Sequence, residues 1–541
     1  MESPRLETNR HKLRQFNPLD FFQIATGFSP SWHKMCCSPP SAKENTMPRS
    51  KCFFALLLSL SLTSALSQAA RPSVPQKFLD QQLLIPATGE HRFSNRLIET
   101  REFVGVKKKE WKACHQNQAA DSLVSQFRPF AAGESFEPIE QFMESRLPSR
   151  DLRDFERQGL TEGLVATRPW SGDYWPYSNG ILGARFLSGE FSMFETWLER
   201  FQFVQSHPAK EILSLQGQEG IRNLSPAEKY DLIIGSKGNS FTQSMWQQGK
   251  IIYDKVGKVE EWMGICHGWA AAAIVEPRPA KSIEVLSWDQ KWVVPLNPSE
   301  IKGLVSYSWA MNPFPSAFLG ERCDEKQPRQ GPNGRILNPD CFDLNPATWH
   351  LVIVNMVGRQ HRSFIMDATF DYEVWNQPVV AYTYKYFNPQ TGAKSKSLEK
   401  SVVSREDFTQ DPYAAFRSNE ARFFVGVAMK VAYVIENTAT SDPVDSPQAD
   451  SIRWVEYRYD LELNSYGEAI GGEWYLESHP DFIWVPKNGV RPRAPLEEGL
   501  YNIEWTGPTI PDAWADAAQR SAPTGKILNS ITEGLLKKST E

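Results

Sequence analysis

The densest chemistry in the sequence lies in EEWMGICHGWAAAAIVEP, residues 260–277. Gly264 interrupts what precedes it, Ala270 to Ala273 favour helix, and Pro277 forces an end near Val275, so Cys266 is expected at or just before a helix N-terminus. At such a position unsatisfied amides and the positive end of the helix dipole stabilise a thiolate, drawing its pKa from about 8.5 toward neutrality. The same amides can receive an oxyanion when the sulfur attacks a carbonyl. A lone cysteine can instead be a small buried residue or a disulfide partner, here of Cys114, and the helix start with its glycine flank argues against that. His267 follows directly, but neighbours at i and i+1 on a helix face different ways, so a base must come from elsewhere.

His350 opens the apolar run WHLVIVNMV (349–357), which reads as a strand, and RSFIMDAT (362–369) reads as its hairpin partner. With Gly358 and Arg359 as the central residues of a type II′ turn, His350 and Asp367 fall directly opposite on one face, with Cβ atoms about 5 Å apart. An aspartate so placed would orient the imidazole while its other nitrogen faces the sulfur. A one-residue slip would separate them, leaving a His and an Asp that merely edge a buried sheet. Cysteine on a helix, with histidine and aspartate on adjoining strands, is the papain-like arrangement. It implies an α+β fold with the cysteine helix packed on an antiparallel sheet. For a side-chain oxyanion donor, Trp262 and Trp246 are candidates, although aromatic residues near a core are more often packing.

Other elements must hold this constellation. A helical apolar spacing occupies 190–206. LSPAEKYDLIIG (224–235) starts a helix with Ser225 as cap, Pro226 in the first turn and Glu228 closing a capping box, and Gly235 stops it. NPSE (297–300) opens another helix, running to about Trp309. Residues 281–288 and 291–295 form a hairpin, and 378–388, 422–436 and 453–464 are further strands. In the last, Val455, Tyr457, Tyr459, Leu461 and Leu463 alternate with Glu456, Arg458, Asp460 and Glu462, which predicts one wet face.

At 541 residues the chain exceeds a single core. Its 41% hydrophobic and 23% charged residues exclude global disorder and a polytopic membrane protein. Lys+Arg 59 against Asp+Glu 64, a net charge of -5, lacks the basic excess of a nucleic-acid binder. Met47, Arg49 and Lys51 precede the apolar run 53–66 and then Ser67 and Ala69, a signal-peptide pattern with cleavage after Ala69 and translation expected to begin at Met47. The run is too short to span a bilayer, which needs about 20 residues. Export, to an extracellular or periplasmic location, removes Cys36, Cys37 and Cys52 of the 7 cysteines. Cys323 and Cys341, bracketing a Pro- and Gly-rich stretch, then suit a disulfide worth about 3 kcal/mol. Cys114 remains, and a reversible bridge to Cys266 would keep the enzyme silent. The expected organisation is 1–69 extension and signal peptide, 70–160 an N-terminal region serving as propeptide or cap, 161–505 the catalytic region, and 506–541 a flexible tail.

GICHGWA (264–270), NPATWH (345–350), the DAT of Asp367 to Thr369 and VWNQPV within 371–379, in that order over roughly 160–490, resemble the transglutaminase elicitor family of oomycete plant pathogens and bacterial relatives. DAT is also similar to the segment carrying the triad aspartate of animal-type transglutaminases. The resemblance implies Cys266 as nucleophile, His350 as general base and acid, Asp367 as its orienting partner, and VWNQPV as the core of a surface peptide. It implies a protein-glutamine gamma-glutamyltransferase acting on protein glutamine and lysine side chains, with no nucleic-acid partner and no membrane partner after signal cleavage. A papain-like protease or a glutamine deamidase would use the same three residues, and a non-enzymatic secreted binding protein could keep the fold. Calcium is used in parts of the transglutaminase world. No DxDxDG-type loop occurs here, so a calcium site would draw on scattered carboxylates.

Overall fold

A computed structural model of the chain describes residues 137, 139–143, 147–322, 329, 344–369, 372–475 and 479–541. The leader, residues 70–136, and Cys114, Cys323 and Cys341 lie outside the described residues. Ten helices are described: α1 (Leu152–Arg157), α2 (Trp197–Ser206), α3 (Ala209–Gln216), α4 (Pro226–Ile234), α5 (Ser240–Val256), α6 (Cys266–Val275), α7 (Pro298–Met311), α8 (Pro346–Ile353), α9 (Asp512–Ser521) and α10 (Asn529–Thr540). Twelve strands accompany them: β1 (Glu162–Leu164), β2 (Ile283–Leu286), β3 (Val293–Leu296), β4 (Ser316–Gly320), β5 (Ile365–Asp367), β6 (Asn376–Phe387), β7 (Lys394–Ser395), β8 (Val403–Ser404), β9 (Phe423–Ile435), β10 (Ser451–Leu463), β11 (Ala469–Trp474) and β12 (Phe482–Pro486).

The main sheet runs β11-β10-β9-β6-β5-β12-β4, with β1 and β7 added to β6 and β8 to β9, every pair antiparallel. Short β5 therefore lies between the start of β6 and β12. Its register sets Asp367 opposite Asn376 and Met366 opposite both Gln377 and Ile483. The expected small hairpin forms as β2–β3. Together with the helices this is a mixed fold of helix and antiparallel sheet.

The predicted caps form. Ser225 Oγ accepts from Glu228 N while Glu228 accepts from Ser225 N, and Gly235 ends α4 at φ 69°, the left-handed region glycine enters without a Cβ clash. Asn297 and Glu300 make the same box at the head of α7. Helices α6 and α7 pack backbone to backbone. A Cβ on Gly268 would lie 2.2 Å from Ser306 O and 2.6 Å from Ala310 Cβ, so this crossing requires glycine.

Three sequence expectations are corrected. Residues 346–353 are helical, and the chain continues as a π-helical turn over Val354–Arg359, so the His350 hairpin does not exist. Asn345 accepts from Ala347 N and Pro346 occupies the first turn, an ordinary helix start; every residue of α8 is buried, which removes the amphipathic signature. The charged face of β10 is also mostly covered, with Glu456 half-buried and Arg458, Asp460 and Glu462 buried. Asp460 and Glu462 are buried because Arg417, arriving from the β8–β9 connection, places a guanidinium 2.6 Å from Asp460 and 3.5 Å from Glu462. Finally, 506–541 is no tail. Trp514, Ala515 and Ala518 of α9 and Ile531, Leu535 and Leu536 of α10 join the main core. Among the described residues no helix is long and apolar enough to cross a membrane.

Candidate active site

Cys266 is the first residue of α6, as its flanking sequence predicts, and it is a free thiol. Ile265 provides no side-chain cap, so the leading amides of α6 carry none. Gly264 bridges Pro176, and Tyr177 N donates to Met263 O at 2.8 Å, which pins the turn before the helix against 173–177. Cys266 is 5% exposed. Its hydrogen bonds run to the stretch entering β6: Sγ donates to Val374 O at 3.7 Å, and Asn376 Nδ2 donates to Sγ at 3.4 Å. Asn376 Oδ1 accepts in turn from Trp484 Nε1 at 2.7 Å across the β12 side of the sheet.

Asp367 enters the same pocket from β5. Its Oδ1 accepts from Trp375 N at 2.9 Å and from Thr369 N and Oγ1 at 3.3 and 3.1 Å. Its Oδ2 is buried and has no hydrogen-bond partner. Burial raises this carboxyl to about 7 against the lowering effect of those donors and of Arg322. Burial likewise pushes the Cys266 thiol up to about 12, helped by the charge of Glu436, just beyond β9, and of Asp367, and opposed by hydrogen bonds from Asn376. The expected depression toward neutrality is thereby overturned, because a helix end supplies at most about 2 kcal/mol, less than the burial and the two carboxylates withdraw. The resting sulfur is a neutral thiol. Tyr174 and Tyr177 line its surroundings, both raised by burial and by the nearby sulfur, and Tyr174 stacks on Trp375 at 5.6 Å.

The structure brings Cys266 and Asp367 together and leaves His350 out. In α8 the imidazole is fully buried, its Nδ1 2.8 Å from Tyr459 Oη and its ring edge-on to Tyr384 at 4.9 Å. Burial alone holds it down at about 3, whereas Cys266 and Asp367 act on one another. His267 is half-buried, and desolvation holds it at about 4. Neither tryptophan proposed as oxyanion donor is bonded to the sulfur. Trp262 Nε1 donates to Glu260, and Trp246 packs among Phe191, Trp197 and Phe201. Asn376, Trp484 and Glu436 are the residues that sequence reasoning missed. The signal for Asn376 was its amide at the head of an apolar strand, a polar group that burial obliges to find partners.

VWNQPV is not a surface peptide in this fold. Residues 374–379 are all buried, because Val374 and Asn376 face the sulfur and Trp375 N holds Asp367. Among the described residues no three His, Cys, Asp or Glu side chains converge to hold a metal ion.

A family model described as Transglutaminase elicitor matches residues 137–504, which spans every residue of this pocket. Among solved structures, the crystal structure of the GP42 transglutaminase from Phytophthora sojae is similar at 22% identity and a TM-score of 0.43, covering 70% of this chain and 94% of that one. No curated protein matches the chain.

Proposed function

Because the chain belongs to the transglutaminase elicitor family, we propose that it is a secreted protein-glutamine gamma-glutamyltransferase with Cys266 as nucleophile. The observation that carries this is a free thiol at an uncapped helix start, sharing a buried pocket with a carboxyl that titrates near neutrality. The sulfur attacks the side-chain carboxamide carbon of a protein glutamine, forming the C–S bond as its proton passes to Asp367. The tetrahedral intermediate collapses by breaking the C–N bond, and the protonated carboxyl returns the proton so that ammonia leaves. A neutral lysine amine then attacks the thioester carbon and loses a proton to Asp367; the C–S bond breaks as the isopeptide forms, and Asp367 returns that proton to the departing sulfur, restoring thiol and carboxylate.

Asp367 thus acts as the proton carrier itself, in place of orienting His350, whose Nδ1 is bonded to Tyr459 and whose Nε2 is buried without a hydrogen-bond partner. The leader expected at 47–69 supports export, and a Cys323–Cys341 disulfide would suit that compartment. Incubation of the protein with a glutamine donor and a fluorescent primary amine tests the reading. Incorporation that disappears in Cys266→Ala supports it. Peptide-bond cleavage without incorporation would overturn it, as would full activity in the variant.

A further inference from the structure

We propose that Asn376 is the side-chain oxyanion donor of this site and that Trp484 is the positioning residue that aims it. The proposal rests on Cys266 as an acyl-accepting nucleophile and adds the group that stabilises the charge its attack creates. When sulfur adds to a carbonyl, the new C–S bond displaces the π pair onto oxygen, and that oxygen needs donors already fixed in place. Asn376 Nδ2 stands 3.4 Å from Sγ, close to where an oxygen one bond removed from the attacked carbon comes to lie. The backbone amide of Cys266, in the first turn of α6 where amides lack intrahelical acceptors, supplies a second donor.

Three features separate this role from mere packing. First, Asn376 is 1% exposed, and at such a site an apolar residue of similar size would avoid burying an amide. Second, thiol sulfur is a weak acceptor, so the Nδ2–H bond is under-used at rest. A full negative charge on oxygen strengthens it, the difference between ground and transition state that accelerates a reaction. Third, an amide can flip and present oxygen to the sulfur, which would repel an oxyanion. Trp484 Nε1, a donor only, holds Oδ1 at 2.7 Å and forbids the flip. Trp484 is itself fixed on β12, its ring stacked on Phe314.

The test compares two reactions of the same sulfur. Acylation by p-nitrophenyl acetate passes through an oxyanion, whereas alkylation by iodoacetamide displaces iodide from a saturated carbon and develops none. Asn376→Ala also removes a hydrogen bond that lowers the thiol's pKa, which slows both reactions, so acylation is expected to fall about 10²–10³-fold further than alkylation. Trp484→Phe keeps an aromatic ring at this position while removing the indole N–H with its pyrrole ring, and it is expected to show the same split at about tenfold. A parallel fall of both reactions would assign Asn376 to structure, and unchanged acylation in both variants would equally overturn the proposal. Should Asn376→Ala fail to fold, the Trp484→Phe split decides alone. Wild-type acylation without any amine incorporation would defeat the transferase reading and leave the oxyanion assignment to be judged on the same two ratios.

Discussion

At the scale of single residues, the site is governed by which groups burial keeps neutral. The thiol at about 12 and Asp367 at about 7 feel each other, and the carboxyl is the one that ionises within the physiological range. A carboxylate can take the thiol proton and its acid can return it only if it titrates near working pH. Amine incorporation is therefore expected to rise with pH through about 7 as Asp367 loses its proton. Asp367→Asn should cost about 10²–10⁴ in rate and abolish that rising limb, and a pH–rate profile reads both. The same substitution has a stability signature. The folded-state value is raised above the ordinary 3.8, so the group's contribution is complete below about 3.8 and is lost as pH rises toward 7. Denaturant titrations at pH 4 and 7 should show a smaller loss for Asp367→Asn than for wild type. Equal losses would show that this carboxyl is not buried neutral.

At the scale of elements, capping chemistry was legible and burial was not. Ser225, Asn297 and the glycines at 235 and 264 announced helix ends that formed where expected, because those signals act within four residues. The same signal stood at Asn345–Pro346, but the β-branched run that followed outweighed it, since a helix buried on every side looks like a buried strand. That single misreading removed the His350–Asp367 hairpin and with it the expected base. The covered face of β10 was illegible for a different reason: Arg417 lies 43 residues from Asp460, and no local pattern announces such a pairing. Removing one member of this buried network is more damaging than replacing it whole. Arg417→Ala is expected to cost about 3–5 kcal/mol in denaturant unfolding, whereas Arg417→Met combined with Asp411→Leu, Asp460→Leu and Glu462→Leu, which replaces all four charges, should recover much of that loss. Helix α10 belongs to the core in the same sense: Leu535→Ala, at a fully buried position, should cost about 2–5 kcal/mol, where a tail would give nothing.

At the scale of the whole molecule, neutral burial of both acids and bases sets how stability responds to pH. His350 and His267 are held at about 3 and 4, below the ordinary 6.5, so each contributes stability that is complete above 6.5 and lost as pH falls toward those values. Asp367 and Asp231 are raised to about 7 and 6, so their contributions run the opposite way across the same window. Between pH 4 and 6 the unfolded chain gains about two protons on the histidines while the folded chain holds about two more on the aspartates, and these four slopes offset one another. Removing one histidine uncovers the imbalance. With His350→Gln the dependence of unfolding free energy on pH should become more negative than wild type by about 1.4 kcal/mol per pH unit across this window. Denaturant unfolding of both proteins at pH 4.5, 5.25 and 6 measures the difference in slope directly. Parallel lines would mean that His350 is charged in the fold, that its bond to Tyr459 survives protonation, and that the imidazole excluded from the thiol pocket is an ionised group after all.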